Sequence, residues 1–321
     1  MSLSKSMSTR NNLKFSIKLL SIKSMATWIG LILLRFISFL PYGILMRLGS
    51  SLGNLIYKIS PHRKEISRIN INKCLHVEGE QLDRFVRSNF QAIGRGIFEM
   101  SLAWWASDKK IRNIKTKLIN RNLLEHKNGA LILIKHSTHL ELDLRLLSQF
   151  FDLTGMYKAQ TNEVVNYVMV KARNNYIAES LTNKEALKAV RWIKSGKNFL
   201  YAADQDYGPN VSIMIPFFEH DAATVIFPAL FCNKKIKIVL ADVSKVEDTY
   251  EIEIKELDNS QNEKEFLTSM NNLYQEFIAK EPAGYLWMHR RFKSGPHESI
   301  YPTWSSRDKK RKKRRLKRRN D

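Results

Sequence analysis

The sequence predicts an α/β fold in which a mixed, largely parallel sheet is flanked by helices and preceded by an N-terminal membrane helix. The first observation is Ala130–Ile134, a short continuous apolar run typical of a strand buried on both faces. Further runs of this kind follow, and stretches with helical periodicity separate them, as in α/β domains. The other predicted strands are Phe199–Ala203, Ser212–Phe217, Ile236–Ala241, Tyr250–Ile254 and Tyr285–His289.

Helices are predicted where apolar residues recur at three- and four-residue spacing. Two such patterns lie within residues 60–105, before the first buried strand. A third, LELDLRLLSQFF at residues 140–151, directly follows that strand. Two more occupy residues 184–194 and Glu265–Lys280, and no internal repeat is present.

Residues 25–46 are interpreted as a membrane segment. They read MATWIGLILLRFISFLPYGILM, 22 residues with one charge, Arg35, and about 20 apolar residues suffice to span a bilayer. The break at Pro41–Gly43 leaves open a helix that lies within one leaflet. A signal peptide is disfavoured, because the stretch begins late and lacks a small-x-small cleavage site. Basic residues on both sides favour a cytoplasmic location for the body of the chain.

The chain is strongly basic, with a formal net charge of +22. Residues 307–321 carry eleven basic residues against two acids, and the first 24 residues carry five basic residues and no acid. Such charge favours an anionic partner, which can be nucleic acid, an acidic membrane surface or an acidic protein. A like-charge run cannot bury an apolar face, so the tail is predicted to be disordered.

The two cysteines, Cys74 and Cys232, are far apart and lack the spacing of a metal site. They are interpreted as free thiols of a reducing compartment that serve as packing residues.

The candidate chemistry lies directly after the first buried strand, in His136-Ser-Thr-His139-Leu-Glu141-Leu-Asp143. With His136 in the loop and Glu141 in the first helical turn, the carboxylate can hold one imidazole nitrogen. The other nitrogen can then take a proton from an alcohol that attacks a thioester. Two other interpretations stay open: Thr138 and Glu141 fit a capping box, and the two histidines with an acid have a metal-like spacing. His139 with Asp143 is a second pair of similar composition, which ranks below the first.

Three further segments accompany this motif. Residues 202–218 read AADQDYGPNVSIMIPFF, residues 285–296 read YLWMHRRFKSGP, and residues 62–75 and 90–105 form the helical region before the sheet. Together with HSTHLE, they resemble the His-x4-acid, D-x-D-Y-G, W-x-H-R-R-F-K-x-x-P and N-terminal helical blocks of the lipid A biosynthesis late acyltransferases. This is the lauroyl/myristoyl-transferase family of Gram-negative bacteria. The similarity extends from the anchor to about Pro296.

The resemblance implies roles for individual residues. It makes His136 the general base and Glu141 its partner, with no metal and no cofactor, since acyl-acyl carrier protein is a substrate. It also implies a substrate-binding set of Lys158, Arg173, Asp204, Asp206, Tyr207 and Arg290. Lys158 stands where the family usually has arginine, and so loses the planar fork that binds oxyanions. Three of these residues have a structural alternative: Asp204 and Asp206 could organise a turn before Gly208, and Arg290 could belong to a solvated edge.

The function implied by the resemblance is acyl transfer in lipopolysaccharide or lipooligosaccharide biosynthesis. A fatty acyl chain would pass from acyl carrier protein to a hydroxyl, of a hydroxyacyl chain, on a Kdo-lipid A precursor. The acidic carrier protein, the acceptor phosphates and anionic inner-membrane lipids all suit a basic chain. One alternative is an acyltransferase for another membrane lipid, such as a glycerolipid or ornithine lipid. A polybasic membrane or nucleic-acid binding protein is the other, although no RNA-binding aromatic motif or zinc-finger spacing supports nucleic acid.

The resulting organisation has four parts. Residues 1–24 form a basic N-terminal segment, 25–57 the membrane anchor region, 58–304 an acyltransferase domain with a glycerolipid-acyltransferase-like fold, and 305–321 a disordered polybasic tail. The expected location is the Gram-negative inner membrane, with the catalytic domain on its cytoplasmic face.

Overall fold

Helices make up most of residues 17–112. The computed structural model describes residues 15–125, 129–183, 185–295 and 300–303, so the predicted polybasic tail lies outside the described residues. A 3-10 turn, Ile17–Leu20, precedes the first long helix. The helices that follow are α1 (Ile22–Ile37), α2 (Tyr42–Ile59), α3 (Pro61–Leu75), α4 (Gly79–Trp105) and the short α5 (Asp108–Arg112).

The predicted membrane segment, residues 25–46, is divided between two helices. α1 ends at Ile37 and α2 begins at Tyr42, with Pro41 at its N-cap. Proline lacks a backbone N–H and disfavours helical geometry in the preceding residue, so the two helices cannot be continuous there. The expectation of one membrane-spanning helix is therefore wrong for this structure. Across the described ranges, no helix is long and apolar enough to cross a membrane.

α2 is fixed to the rest of the protein by a close crossing with α4. Three glycines lie at the crossing, and a Cβ added to Gly94 would come within 2.1 Å of the Gly49 carbonyl oxygen and 2.4 Å of the Gly53 nitrogen. Any larger side chain at Gly94 would force the backbones apart. α2 is therefore packed on α4 at backbone contact distance.

A seven-stranded sheet forms the centre of the domain in the described residues. Its order is β1-β9-β8-β2-β5-β3-β4, and all neighbours are parallel except β8 and β9. The strands are β1 (Thr116–Ile119), β2 (Ala130–Ile134), β3 (Thr154–Tyr157), β4 (Glu179–Thr182), β5 (Phe199–Ala202), β8 (Lys237–Val246) and β9 (Thr249–Glu256). A separate hairpin pairs β6 (Ser212–Phe217) with β7 (His220–Val225).

Helices cover both faces of the sheet. They are α6 (Leu140–Leu147), α7 (Glu163–Arg173), α8 (Ala186–Lys194) and α9 (Glu263–Lys280). Alternate residues of β2 point to opposite sides, because successive side chains of a strand alternate. Leu131 joins the core cluster that contains Phe266 of α9, and Ile132 joins the one that contains Leu142 of α6. The prediction of a mixed, mostly parallel α/β sheet is confirmed.

The predicted elements differ from the observed ones in two main respects. Tyr285–His289 is not a strand: it follows a 3-10 turn, Pro282–Gly284, and forms one isolated bridge from Tyr285 to Ser137. Ser212–Phe217 is a strand, but it pairs within the hairpin and not in the main sheet. The short strands β1, β3, β4 and β7 escaped prediction, since four- to six-residue elements carry little periodicity. Cys74 and Cys232 are free and buried, as expected.

Candidate active site

His136 and Asp204 meet at the carboxyl edge of the sheet. Ile134, at the end of β2, lies opposite Ala202, at the end of the parallel strand β5. Two residues beyond the end of each strand, a polar side chain lies at this same edge. His136 Nδ1 is 2.6 Å from Asp204 Oδ1, and the His136 backbone N–H donates to Asp204 Oδ2 at 2.9 Å.

Asp204 is an ionised acceptor for His136. Its side chain is fully buried, whereas that of His136 is 19% exposed. Burial alone would raise the pKa of Asp204, but the charge and hydrogen bonds of His136 lower it below its usual value. A carboxylate at Nδ1 fixes that nitrogen as the donor, so Nε2 keeps the lone pair.

Glu141 has other partners. Its carboxylate pairs with the Arg173 guanidinium of α7, with Arg173 Nε 3.1 Å from Oε2. Trp104 Nε1 donates to the same oxygen at 2.8 Å, and the Tyr176 hydroxyl lies at 3.3 Å. Burial would raise the pKa of Glu141, but Arg173 and these donors lower it. The expected contact between Glu141 and His136 is therefore not formed, because residue 141 lies in α6 and faces α4 and α7. The capping-box alternative is not formed either, since Glu141 Oε atoms are engaged with these partners and His139 is the N-cap residue.

His139 is enclosed by two carboxylates. Its Nδ1 lies 2.5 Å from Asp143 Oδ1 and its Nε2 lies 3.2 Å from Glu281 Oε2, and its side chain is 3% exposed. Burial alone would lower the pKa of His139, but the carboxylates of Asp143 and Glu281 raise it well above its ordinary value. Both ring nitrogens then act as donors, so this imidazole has no lone pair to offer a substrate.

The loop that carries both histidines is held by its neighbours. The Thr138 N–H donates to the Gly284 carbonyl at 2.7 Å, and the Leu286 N–H donates to the His136 carbonyl at 3.0 Å. On the other side lies Gly96 of α4, where an added Cβ would come within 1.9 Å of the Thr138 carbonyl oxygen. The backbone at His136 is thus clamped between α4 and the segment after α9.

The D-x-D-Y-G segment continues from Asp204 into a turn. Asp206 is buried and accepts from the N–H groups of Gly208 at 2.8 Å and Ser294 at 2.7 Å. The turn-forming alternative thus describes Asp206, while Asp204 is the residue that reaches His136. Tyr207 is exposed, and its hydroxyl donates to the Ala202 carbonyl at 3.0 Å.

The other two predicted substrate-binding residues are Lys158 and Arg290. Lys158 is exposed after β3, and Arg290 is half-buried beside His289. His289 was not among the predicted site residues, yet its Nε2 lies 3.2 Å from the backbone nitrogen of Asp206. The W-x-H-R-R-F-K segment contained this histidine, and that segment was the only signal that could have identified it.

The arrangement suits proton transfer without a side-chain nucleophile. It has a partly exposed imidazole with a buried carboxylate behind it, which is the geometry of a general base. No cluster of three or more His, Cys, Asp or Glu side chains that could hold a metal ion occurs in the described residues. The class defined by fold and site is an α/β enzyme with a histidine–carboxylate pair at the sheet edge.

Comparison with known proteins narrows this class to a family. Residues 12–294 match the bacterial lipid A biosynthesis acyltransferases, and the chain belongs to that family. It is 28% identical over 298 residues to a lipid A biosynthesis lauroyltransferase of Escherichia coli K12, covering 88% of this chain and 96% of that protein. It is also 26% identical over 304 residues to a lipid A biosynthesis palmitoleoyltransferase of the same organism, covering 90% and 98%.

Among solved structures, the chain is similar to the 1-acyl-sn-glycerophosphate acyltransferase of Thermotoga maritima. The TM-score is 0.37 at 8% identity, and the match covers 72% of this chain and 97% of that one. Similarity at this level supports no conclusion about substrate.

Proposed function

We propose that the chain transfers a fatty acyl group from acyl-acyl carrier protein to a hydroxyl of a Kdo-lipid A precursor, on one of its hydroxyacyl chains. The observation that carries the proposal is His136, held by Asp204 with Nε2 directed away from the carboxylate. Membership of the lipid A acyltransferase family supports the acceptor class. The relatives that transfer lauroyl and palmitoleoyl groups support a fatty acyl donor.

In this mechanism His136 Nε2 removes the proton from the acceptor hydroxyl as its oxygen attacks the thioester carbonyl carbon. Asp204 holds Nδ1–H and stabilises the imidazolium that forms. When the tetrahedral intermediate collapses, the carbon–sulfur bond breaks and the imidazolium returns the proton to the leaving thiolate. No serine or cysteine nucleophile is needed. His139 is unsuited to this role, because carboxylates occupy both of its nitrogens.

Glu141 serves the site through Arg173. The ion pair fixes a guanidinium near the end of α7, and both side chains are almost buried. A guanidinium held in this way retains donors for the oxyanions of a substrate. Arg173 therefore stays in the proposed substrate-binding set, and Glu141 is a positioning residue for it.

The N-terminal helices supply the attachment to the membrane. Their outward side is apolar, and the chain bears basic residues on both sides of this region. A helix of this kind lies in the plane of one leaflet and gains from anionic lipids. We place it in the cytoplasmic leaflet of the inner membrane, next to the acceptor. The exposed apolar residues are Ile22, Met25, Ile29, Ile32, Leu33, Phe36, Phe39, Ile44, Leu48, Leu55 and Ile59.

Mass spectrometry of lipid A tests the proposal directly. Cells that lack the protein should produce lipid A that lacks one acyl chain, and the missing mass gives the chain length. The wild-type gene should restore it and His136→Ala should not. His76→Asn is the matched control, because that histidine is exposed and follows α3, 60 residues before His136 in the sequence. If lipid A is unchanged while a glycerolipid or ornithine lipid loses an acyl chain, the acceptor is a different membrane lipid.

The donor is tested with purified protein. Transfer should proceed from acyl-acyl carrier protein and much more slowly from the corresponding acyl-coenzyme A, since the acidic carrier is attracted to the basic chain. Equal kcat/KM for the two donors at low salt would contradict a role for the carrier protein.

A further inference from the structure

Two imidazoles are attached to one three-residue segment. The Asp204 carboxylate accepts hydrogen bonds from Nδ1–H and from the backbone N–H of His136. Two residues later, the backbone N–H of Asp206 donates to His289 Nε2 at 3.2 Å. The segment that follows α9 is hydrogen-bonded to the His136 loop, because the Leu286 N–H donates to the His136 carbonyl. His136 and His289 thus lie at the same edge of the sheet, because both are hydrogen-bonded to the segment 204–206.

The hydrogen bonds give both rings the same tautomer, with the proton on Nδ1, but they leave opposite nitrogens free. In His136, Nδ1 is the donor and Nε2 holds the lone pair. In His289, Nε2 accepts a backbone N–H and must hold the lone pair, so the proton of the neutral ring is on Nδ1. In the part of the chain that the structure describes, this Nδ1 makes no hydrogen bond to protein. His289 therefore offers a donor where His136 offers an acceptor.

The surroundings keep His289 in this form. Burial, together with the positive charge of Lys293 and the neighbouring His136, lowers the pKa of His289 to about 3. The ring stays neutral near pH 7, and its tautomer is fixed by the Asp206 N–H. A neutral imidazole can donate a hydrogen bond to a developing oxyanion without competing as a base.

We propose that His289 is a catalytic residue whose Nδ1–H binds the carbonyl oxygen of the acyl thioester. This inference rests on the proposed function. As the acceptor oxygen bonds to the carbonyl carbon, its proton moves to His136 Nε2. The π electron pair moves to the carbonyl oxygen, where His289 Nδ1–H donates to it. Collapse restores the carbonyl, breaks the carbon–sulfur bond and returns the proton from His136 to sulfur.

The matched pair His289→Asn and His289→Gln separates donation from support. The asparagine amide reaches about as far from Cβ as Nδ1, so its N–H₂ can replace the donor. The glutamine amide reaches about as far as Nε2, so its oxygen can accept from the Asp206 N–H but leaves the Nδ1 position empty. We expect kcat of His289→Gln to fall about 10²–10³-fold, as for loss of one oxyanion donor. His289→Asn should stay within about tenfold of wild type, and KM for the thioester should change little in either.

The assay measures kcat at saturating acyl thioester, with thermal unfolding midpoints as the check on folding. A wild-type kcat in His289→Gln overturns the inference, as does an equal loss in both variants, which would make His289 a support for the Asp206 turn. Hydrolysis of the thioester in the absence of lipid acceptor uses the same carbonyl. If this hydrolysis shows the same dependence on His289 while no lipid A precursor is acylated, the proposed acceptor is wrong and the role of His289 stands.

Discussion

Replacing Asp204 with asparagine tests which carboxylate serves His136. The change removes a fully buried charge that accepts two hydrogen bonds from His136, at 2.6 Å and 2.9 Å. The asparagine amide group can turn its N–H₂ toward Nδ1, which would move the imidazole proton to Nε2 and abolish the base. General base catalysis contributes about 10²–10⁴-fold, so we expect kcat to fall by that factor. The loss corresponds to about 3–5 kcal/mol of transition-state stabilisation.

The assay compares kcat and kcat/KM of wild type, Asp204→Asn and Glu141→Gln under saturating donor and acceptor. Asp204→Asn should lose kcat with little change in KM. Glu141→Gln should weaken the Arg173 contact and raise KM more than it lowers kcat, because Glu141 has no bond to His136. If Asp204→Asn stays within about threefold of wild type while Glu141→Gln abolishes turnover, the pairing read from the structure is not the functional one.

Three other predictions follow from the same geometry and charge. The raised pKa of His139 means that its protonated form stabilises the fold below about pH 6.5, the unfolded value, and loses this contribution as pH rises through the folded value. The difference in unfolding free energy between wild type and His139→Gln, measured by urea denaturation, should therefore shrink with rising pH; a constant or growing difference would contradict it. Exhaustive chelation should leave kcat unchanged, and a stoichiometric metal required for turnover would overturn the mechanism. Deletion of residues 307–321 should weaken vesicle binding or raise KM for the donor at low salt, whereas a lost kcat at saturation would place the tail in the site.

The sheet was predictable because its central strands are short apolar runs between helical patterns. β2 was found at its observed bounds, Ala130–Ile134, and β5 to within one residue. The neighbours of each strand were not predictable in the same way. β2 pairs with β5 and β8, which are separated from it by many residues. Only this pairing brings Asp204 to His136 across 68 positions of sequence.

The N-terminal region shows the limit of hydropathy. Residues 25–46 contain enough apolar residues to span a bilayer, and their composition alone predicted one helix. Pro41 divides the segment, and the glycines of α2 hold the second helix against α4. Both effects depend on local backbone chemistry and packing, which a window average of hydrophobicity does not contain. Phe36 and Phe39 nevertheless remain exposed.

The surroundings of the two histidines in the HSTH segment distinguish their roles. The sequence pointed to His136 because a carboxylate follows it five residues later, yet Glu141 binds Arg173 instead. The structure favours the same histidine for another reason. His139 lies between two carboxylates at 3% exposure and is held as a cation. His136 has one carboxylate, behind it, and 19% of its side chain is exposed. A base must accept a proton from substrate and later release it, so it needs a free nitrogen that the substrate can reach. Of the two rings, His136 alone combines both properties.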